Sequence, residues 1–332
     1  MRFFNEFLQF ADEYGLGIFK PEKIKGTGDI ERYTVKGDKK GSLNGWLIFR
    51  DDLKPSCTFG SWKTGETITW FAESEDNLTN AEKKARRKQI AEDAHKAKVA
   101  RIEEQRVSRV NAALRAYDIW SESKDSIGCR SAHQYVKSKK INPFMSRVNE
   151  STGALIVPML NHDGRLASIQ QIYPNGKKMF LTDGKVTGTF LTLDELAQND
   201  KRVFICEGYA TGCTIHEVSN CITVICWNAN NLESAAKYCA IKYPDSQIFI
   251  CADNDHATEI NGVPTNVGEE KAIAAADSAK YIKPIQVLFY GTEKYGTDWN
   301  DYFCQNGYDE TCAWFAFRLD ATLRGEPEYT GV

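Results

Sequence analysis

The chain has no Cys-x-x-Cys pair among its 10 cysteines, no Gly-x-x-x-x-Gly-Lys-Ser/Thr loop, and no apolar run approaching the roughly 20 residues needed to cross a bilayer. Each absence removes a class of protein. Cys57 and Cys129 lack a second Cys or His at ligand spacing, which excludes a zinc ribbon, so no zinc is expected. The missing Gly-Lys loop argues against an ATPase motor of the P-loop type. The start, Met1-Arg2-Phe3-Phe4-Asn5-Glu6, has no leader pattern; with the short apolar runs, this predicts a cytoplasmic chain with no membrane partner. A charge excess is missing too. With 42 Lys and Arg against 45 Asp and Glu the net charge is −3, so any contact with nucleic acid must come from local clusters. The cysteines fall mostly in apolar patterns, as Cys206, Cys226 and Cys251 do, and are expected to be reduced core residues that pack as small hydrophobes.

What the sequence does have is acid at the ends of buried strands. Val203-Phe204-Ile205-Cys206 is an apolar run too short for a helix, and it ends in Glu207-Gly208. Ile248-Phe249-Ile250-Cys251-Ala252 ends in Asp253-Asn254-Asp255, whose two carboxylates point the same way in extended chain. Ile285-Gln286-Val287-Leu288-Phe289 is followed, after a short loop, by Asp298-Trp299-Asn300-Asp301. Helical patterns separate these runs, and strand alternating with helix predicts a parallel sheet. Ligands of such sheets collect at the carboxyl ends of the strands. Carboxylates brought together there repel one another by roughly 1 to 4 kcal/mol per pair, a cost that a hard divalent cation removes. Oxygen-only ligands suit Mg²⁺ or Mn²⁺, and the matching chemistry is phosphoryl or nucleotidyl transfer.

Glu207-Gly208-Tyr209-Ala210-Thr211, Asp253-Asn254-Asp255 and Asp298-Trp299-Asn300-Asp301, in this order and spacing, resemble the Toprim domain of topoisomerases, bacterial-type primases and some nucleases. The form they resemble in particular is that of phage and plasmid primases. The resemblance implies a Rossmann-like parallel sheet as the catalytic domain, with Glu207 in proton transfer and Asp253 and Asp255 holding catalytic metal. Glu207, Asp298 and Asp301 would complete the metal-binding set. One departure stands out: many relatives carry Lys directly before the first Asp of the third motif, where this chain has Thr297. A phosphate-binding cation is therefore missing there or is supplied from elsewhere.

Ahead of these motifs, Phe3, Phe4, Phe7, Leu8, Phe10, Ala11 and Tyr14 fall at helical spacing and predict a packing helix. Short β-like runs then follow at 31–35, 45–49 and 67–70, a small antiparallel sheet in which cations alternate with aromatic residues. Such interleaving suits single-stranded nucleic acid, because bases stack on rings while cations neutralise phosphates; it equally suits an ordinary small core with exposed lysines. Arg32, Arg50, Trp62 and Lys63 are the DNA-binding candidates here. This segment also resembles the N-terminal module of phage and plasmid Toprim primases. Residues 80–121 form the longest helical pattern, capped by Thr79 or Asn80. Lys83, Lys84, Arg86, Arg87 and Lys88 cluster in its first half, and Val107, Val110, Leu114 and Tyr117 make a packing stripe in its second. Strands at 154–160 and 166–173 join through the Asp163-Gly164 turn, and Lys177-Lys178 follow a second turn. In the primases that this segment resembles, it forms a basic wall facing the acidic site. Arg165, Gln170, Lys177, Lys178 and Lys185 are accordingly the nucleotide- and template-binding candidates. His133, His162 and His216 are expected to be structural, and His256, beside the aspartate pair, is the one histidine worth testing.

The expected organisation is an α+β module at 1–78 for template binding, a basic helical connector at 79–121 and a basic hairpin subdomain at 122–200. An α/β Toprim catalytic domain at 201–323 and a loose tail at 324–332 complete it. The leading reading is a primase that makes short RNA primers on single-stranded DNA from nucleoside triphosphates and works with a separate replicative helicase. Two others stay open: a metal-dependent nuclease using the same carboxylates, and a catalytically degenerate protein that binds DNA or a helicase. A topoisomerase would need a further domain carrying a nucleophilic tyrosine.

Overall fold

The computed structural model describes residues 1, 3–51, 54–72, 78–125, 127–255, 259–260, 263–291 and 294–326, so the expectations for His256 and for the end of the tail lie outside the described residues. Among them no helix is long and apolar enough to cross a membrane. The chain divides into two compact units, Met1–Val107 and Ser108–Val332.

The first unit contains α1 (Phe4–Glu13), β1 (Glu31–Tyr33), β2 (Gly45–Arg50), β3 (Ser56–Ser61), β4 (Thr67–Phe71) and the first part of α2 (Asn80–Glu122). The strands pair antiparallel in chain order. β3, Ser-Cys-Thr-Phe-Gly-Ser, is the strand that sequence reading misses, because its small and polar residues carry little β signal. One sheet face, with Leu47, Phe49, Cys57, Phe59 and Trp70, buries Phe7 and Ala11 of α1. The other meets α2, where Trp46 and Ile48 pack on Ala97. A capping box opens α2: Glu82 N–H donates to Thr79 Oγ1 at 3.3 Å, while Thr79 N–H donates to Glu82 Oε2 at 2.8 Å.

The second unit begins within α2 and continues with α3 (Ile127–Ala132), α4 (Gln134–Lys139), β5 (Arg147–Asn149), β6 (Ala154–Leu160), β7 (Leu166–Ile172) and β8 (Lys178–Phe180). Next come β9 (Leu191–Leu193), β10 (Asn199–Cys206), α5 (Tyr209–Ser219), β11 (Cys221–Ile225), α6 (Leu232–Lys242), β12 (Gln247–Ala252) and the small hairpin of β13 (Glu259–Ile260) and β14 (Val263–Pro264). α7 (Val267–Ala279), β15 (Ile285–Phe289), α8 (Trp299–Asn306) and α9 (Tyr308–Leu323) complete it. β5 to β8 form an antiparallel sheet. The central sheet has the order β15-β12-β10-β11-β9, parallel except for β9 at its edge.

Successive residues of β10 go to opposite layers. Phe204 and Cys206 join Phe249, Cys251, Trp299 and Phe315 on one side; Val203 and Ile205 join Ile248, Ile250 and the alanine faces of α6 and α7 on the other. Burial on both faces explains why these strands read as unbroken apolar runs. The expected packing stripe on α2 is corrected. Val107, Val110, Leu114 and Tyr117 are 44%, 49%, 60% and 62% exposed. The helix packs instead through Ala116, Ile119 and Trp120 onto Ala154, Ile156 and Ile169, because small alanines let it approach the β6–β7 surface closely.

Candidate active site

β10 and β12 run side by side with Ile205 beside Ile250, so Glu207 and Asp253, the residues that follow the two strands, emerge at one sheet edge. Adjacent strands lie about 4.8 Å apart, which brings the two carboxylates within one another's field.

Glu207 is fixed from its backbone outward. Its carbonyl accepts from Trp227 N–H at 2.8 Å, and its carboxylate accepts from the backbone N–H of Ala229. Trp227 makes this turn in the left-handed region at φ 79°, costly for a bulky residue, and is secured by its indole N–H on Thr189 O at 2.9 Å. Glu207 Oε1 is buried without a hydrogen-bond partner among the described residues. Burial and the charge of Asp255 push the Glu207 pKa up to about 7, against the pull of Ala229 N–H.

The second motif is held by the start of α7. Asp255 Oδ2 accepts from Gly268 N–H at 3.0 Å, where the helix N-terminus favours negative charge. Asn266, the N-cap of α7, accepts from Asp255 N–H at 2.8 Å and donates to Asn254 Oδ1 at 2.7 Å. Gly268 is required, since a Cβ there would lie 2.3 Å from the Asp253 carbonyl oxygen. Asp253 Oδ1, like Glu207 Oε1, is buried without a partner among the described residues. Burial, followed by the charges of Asp298, Glu207 and Asp255, holds the Asp253 carboxyl well above the usual carboxylate range, with Lys178 opposing.

The third motif is largely architectural. Asp298 caps α8: its Oδ1 accepts from the N–H groups of Asn300 and Asp301, both at 2.8 Å, and its Oδ2 accepts from Thr211 Oγ1 at 3.1 Å. Burial and Asp301 raise its pKa, while the Asp301 N–H and Lys139 lower it. Trp299 is fully buried against Tyr290 and Phe315. Asn300 joins α4 to α5, donating to Lys139 O and Thr214 Oγ1, each at 2.9 Å. Asp301 accepts from Lys139 Nζ at 3.0 Å and from Thr297 N–H at 3.2 Å. Thr297 O in turn accepts from Asn254 N–H at 2.7 Å, tying the third motif to the second.

Two lysines bring positive charge to this rim. Lys139, absent from the sequence-based candidates, comes from α4. Burial works against its charge, but its hydrogen bond to Asp301 and the charges of Asp298 and Asp301 outweigh that and keep its pKa raised. Lys178 keeps an exposed side-chain surface while its ammonium is crowded by protein; that crowding lowers its pKa despite the attraction of Asp298, Asp253 and Asp301. Lys178 pairs across the strands with Ile172, on the same face as buried Gln170, whose Oε1 has no partner among the described residues. Lys177 precedes Lys178 in the exposed turn and Arg165 lies in the 161–165 turn, so neither is drawn to the carboxylates by any described contact. Lys185 lies in the 182–190 loop, which Asn231 secures by accepting from Gly188 N–H at 2.8 Å.

Two of the histidines, His133 and His216, are accounted for structurally. His133 caps α4 and shares a 2.9 Å hydrogen bond with Gly153 O, while His216 bridges Cys221 O and Leu196 N–H. In the first unit, Arg32 stacks over Trp62 at 3.7 Å and pairs with Glu104, Arg50 pairs with buried Asp93, and Lys63 pairs with Asp38 at 2.6 Å. All three candidate cations there are paired within the first unit.

The donor set at the rim fits a hard divalent cation. Glu207 Oε1 and Asp253 Oδ1 are orphaned oxygens in mutual repulsion, and Asp255 stands beside them. Among the described residues no group of three or more His, Cys, Asp or Glu side chains is placed to hold a metal ion by itself, so an ion here would need oxygens from water or substrate.

Residues 202–309 match the Toprim domain. The chain is 30% identical over 281 residues to an Escherichia coli DNA primase TraC, covering 81% of this chain and 19% of that protein. It is 31% identical over 265 residues to a second Escherichia coli DNA primase TraC, covering 78% and 24%. It therefore spans about a fifth to a quarter of the length of these relatives. Among solved structures, a DnaG primase catalytic domain bound to single-stranded DNA aligns with a TM-score of 0.41 at 13% identity, over 65% of this chain and 82% of that one. The zinc-binding and RNA polymerase domains of the Aquifex aeolicus primase align with a TM-score of 0.41 at 14% identity, over 93% and 82%.

Proposed function

We propose that the chain is a Toprim-domain primase of plasmid type, a nucleotidyltransferase that makes RNA primers from ribonucleoside triphosphates on single-stranded DNA. The observation that carries this reading is the pair of unpartnered carboxylate oxygens, Glu207 Oε1 and Asp253 Oδ1, at the carboxyl rim of the parallel sheet. Asp253 and Asp255 would hold Mg²⁺ or Mn²⁺ with Glu207 beside them. Bound there, the ion would supply Lewis-acid stabilisation of the charge that develops on phosphate. Glu207 supports the proton-transfer role: a carboxylate with a pKa of about 7 can accept the proton of an attacking 3′ hydroxyl near neutral pH and release it afterwards. Asp298 and Asp301, whose oxygens accept protein hydrogen bonds, keep the rim in shape and anchor Lys139. Lys139 and Lys178 supply the cations for which the third motif itself, with Thr297, has no lysine.

The test is primer synthesis on single-stranded DNA with labelled ribonucleotides and Mg²⁺ or Mn²⁺. Wild type is expected to yield oligoribonucleotides, and Asp253→Ala to lower the yield at least about a hundredfold while folding normally. Cleaved template would replace this reading with a nuclease; neither product would leave a binding role.

A further inference from the structure

On α4, near Asp298 of the rim, one buried donor has no partner among the described residues. Tyr135 is 3% exposed and its hydroxyl has no hydrogen-bond partner among the described residues. Leaving such a group unsatisfied is costly, so a hydroxyl retained there points to an acceptor outside the protein atoms. Its surroundings indicate which kind. Tyr135 and Lys139 are four residues apart on α4 and share one helix face, and from that face Lys139 reaches Asp301. The Lys178 ammonium stands 5.6 Å from the centroid of the Tyr135 ring. The phenol thus lies near the Lys178 ammonium, on the helix face that carries Lys139, and close enough to Asp298 to feel its charge; an anionic oxygen drawn to those ammonium groups suits it as an acceptor.

We propose that Tyr135 is a ligand-binding residue whose hydroxyl donates to a non-bridging phosphate oxygen of a nucleoside triphosphate held between Lys139 and Lys178. The assignment rests on the nucleotidyltransferase reading and adds to it a neutral donor that no motif marks. A neutral donor has an advantage at this point, because a third cation beside Lys139 and Lys178 would be repelled by both. Burial, with smaller contributions from Cys213 and Asp298, raises the Tyr135 pKa, so the hydroxyl keeps its proton and stays a donor throughout the working pH range.

Tyr135→Phe removes the hydroxyl and nothing else. Because the hydroxyl has no protein partner, the unliganded melting temperature of the variant is expected to equal or exceed that of wild type. The apparent Kd for ATP with Mg²⁺, followed by thermal shift, is expected to rise about 5- to 15-fold. Inorganic triphosphate should weaken by the same factor. Weakening of ATP without weakening of triphosphate would move the contact to the sugar or base and overturn the phosphate assignment. A lowered unliganded melting temperature would reveal a structural partner for the hydroxyl and also overturn it. If wild type responds to ATP and the variant responds equally, this proposal alone fails. If wild type shows no ATP response, the nucleotidyltransferase reading falls and takes the proposal with it.

Discussion

The two units treat charge in opposite ways. In the first, ions are matched internally: Asp93, 2% exposed, receives Arg50, Thr58 and Gln89, Arg32 meets Glu104, and Lys96 meets Asp29 at 2.7 Å. At the carboxyl rim of the second, Glu207, Asp253 and Asp255 lie within one another's electrostatic field, and two of their oxygens go unpaired among the described residues. Both arrangements remove charge from water, but only the first supplies the compensation from within. A matched buried pair is an anchor, whereas unmatched like charges persist where a ligand supplies what the protein omits.

This contrast can be broken from either side. The largest stability effect should come from the matched side. Arg50→Ala leaves Asp93 buried without its cation and is expected to destabilise the first unit by about 3 kcal/mol in denaturant unfolding. A loss below about 1 kcal/mol would mean that Thr58 and Gln89 satisfy Asp93 alone, and the anchor would be a polar cluster and not an ion pair.

The unmatched side should respond with the opposite sign. Glu207 binds its proton more tightly in the folded state, with a pKa of about 7, than at its ordinary value of 4.5. The folded chain therefore holds more protons than the unfolded chain between those pH values, and without divalent cations its stability falls as pH rises through that window. Glu207→Gln removes its share of the fall, leaving that of Asp253 and Asp298, and is expected to be more stable than wild type by about 1 to 3 kcal/mol near pH 8. Urea unfolding across pH 4 to 8 measures it, and equal slopes for the two proteins would remove the distinction between the units. Added Mg²⁺ should narrow the gap, because it stabilises the wild-type rim.

The smallest effect sharpens the same contrast. Lys63 and Asp38 pair at the surface of the first unit, with the lysine side chain 64% exposed, so Lys63→Ala is expected to change stability by less than about 1 kcal/mol. A larger loss would show that Lys63 also supports its turn through packing.

Much of the site was legible before the fold was seen. Glu207, Asp253 and Asp255 each follow an apolar run, and a carboxylate at the end of a buried strand is a local pattern. Other participants left no local trace. Lys139 reaches Asp301 across 162 positions, and nothing near it announces that contact. Gly268 reads as an ordinary glycine at a helix start until the Asp253 carbonyl is seen lying against it. Trp227 reads as an apolar residue after a strand, and only its φ of 79° marks it as the turn behind Glu207. The α2 stripe at Val107, Val110, Leu114 and Tyr117 failed for a related reason. Periodicity identifies an apolar face, but only packing determines whether that face is covered.

The sequence by itself determined the alternation of strand and helix, the two-sided burial of the central strands and the delivery of acid to their carboxyl ends. These follow from side-chain period and chain direction, which are properties of neighbouring residues. Tertiary structure alone decided the division of labour among the acids. Asp298 and Asp301 became a helix cap and a lysine partner, while Glu207 and Asp253 kept an oxygen each with no partner among the described residues. The physical reason is that desolvation and pairing depend on which distant groups come to rest beside a carboxylate. Four acids alike on paper thus become two kinds in the folded chain.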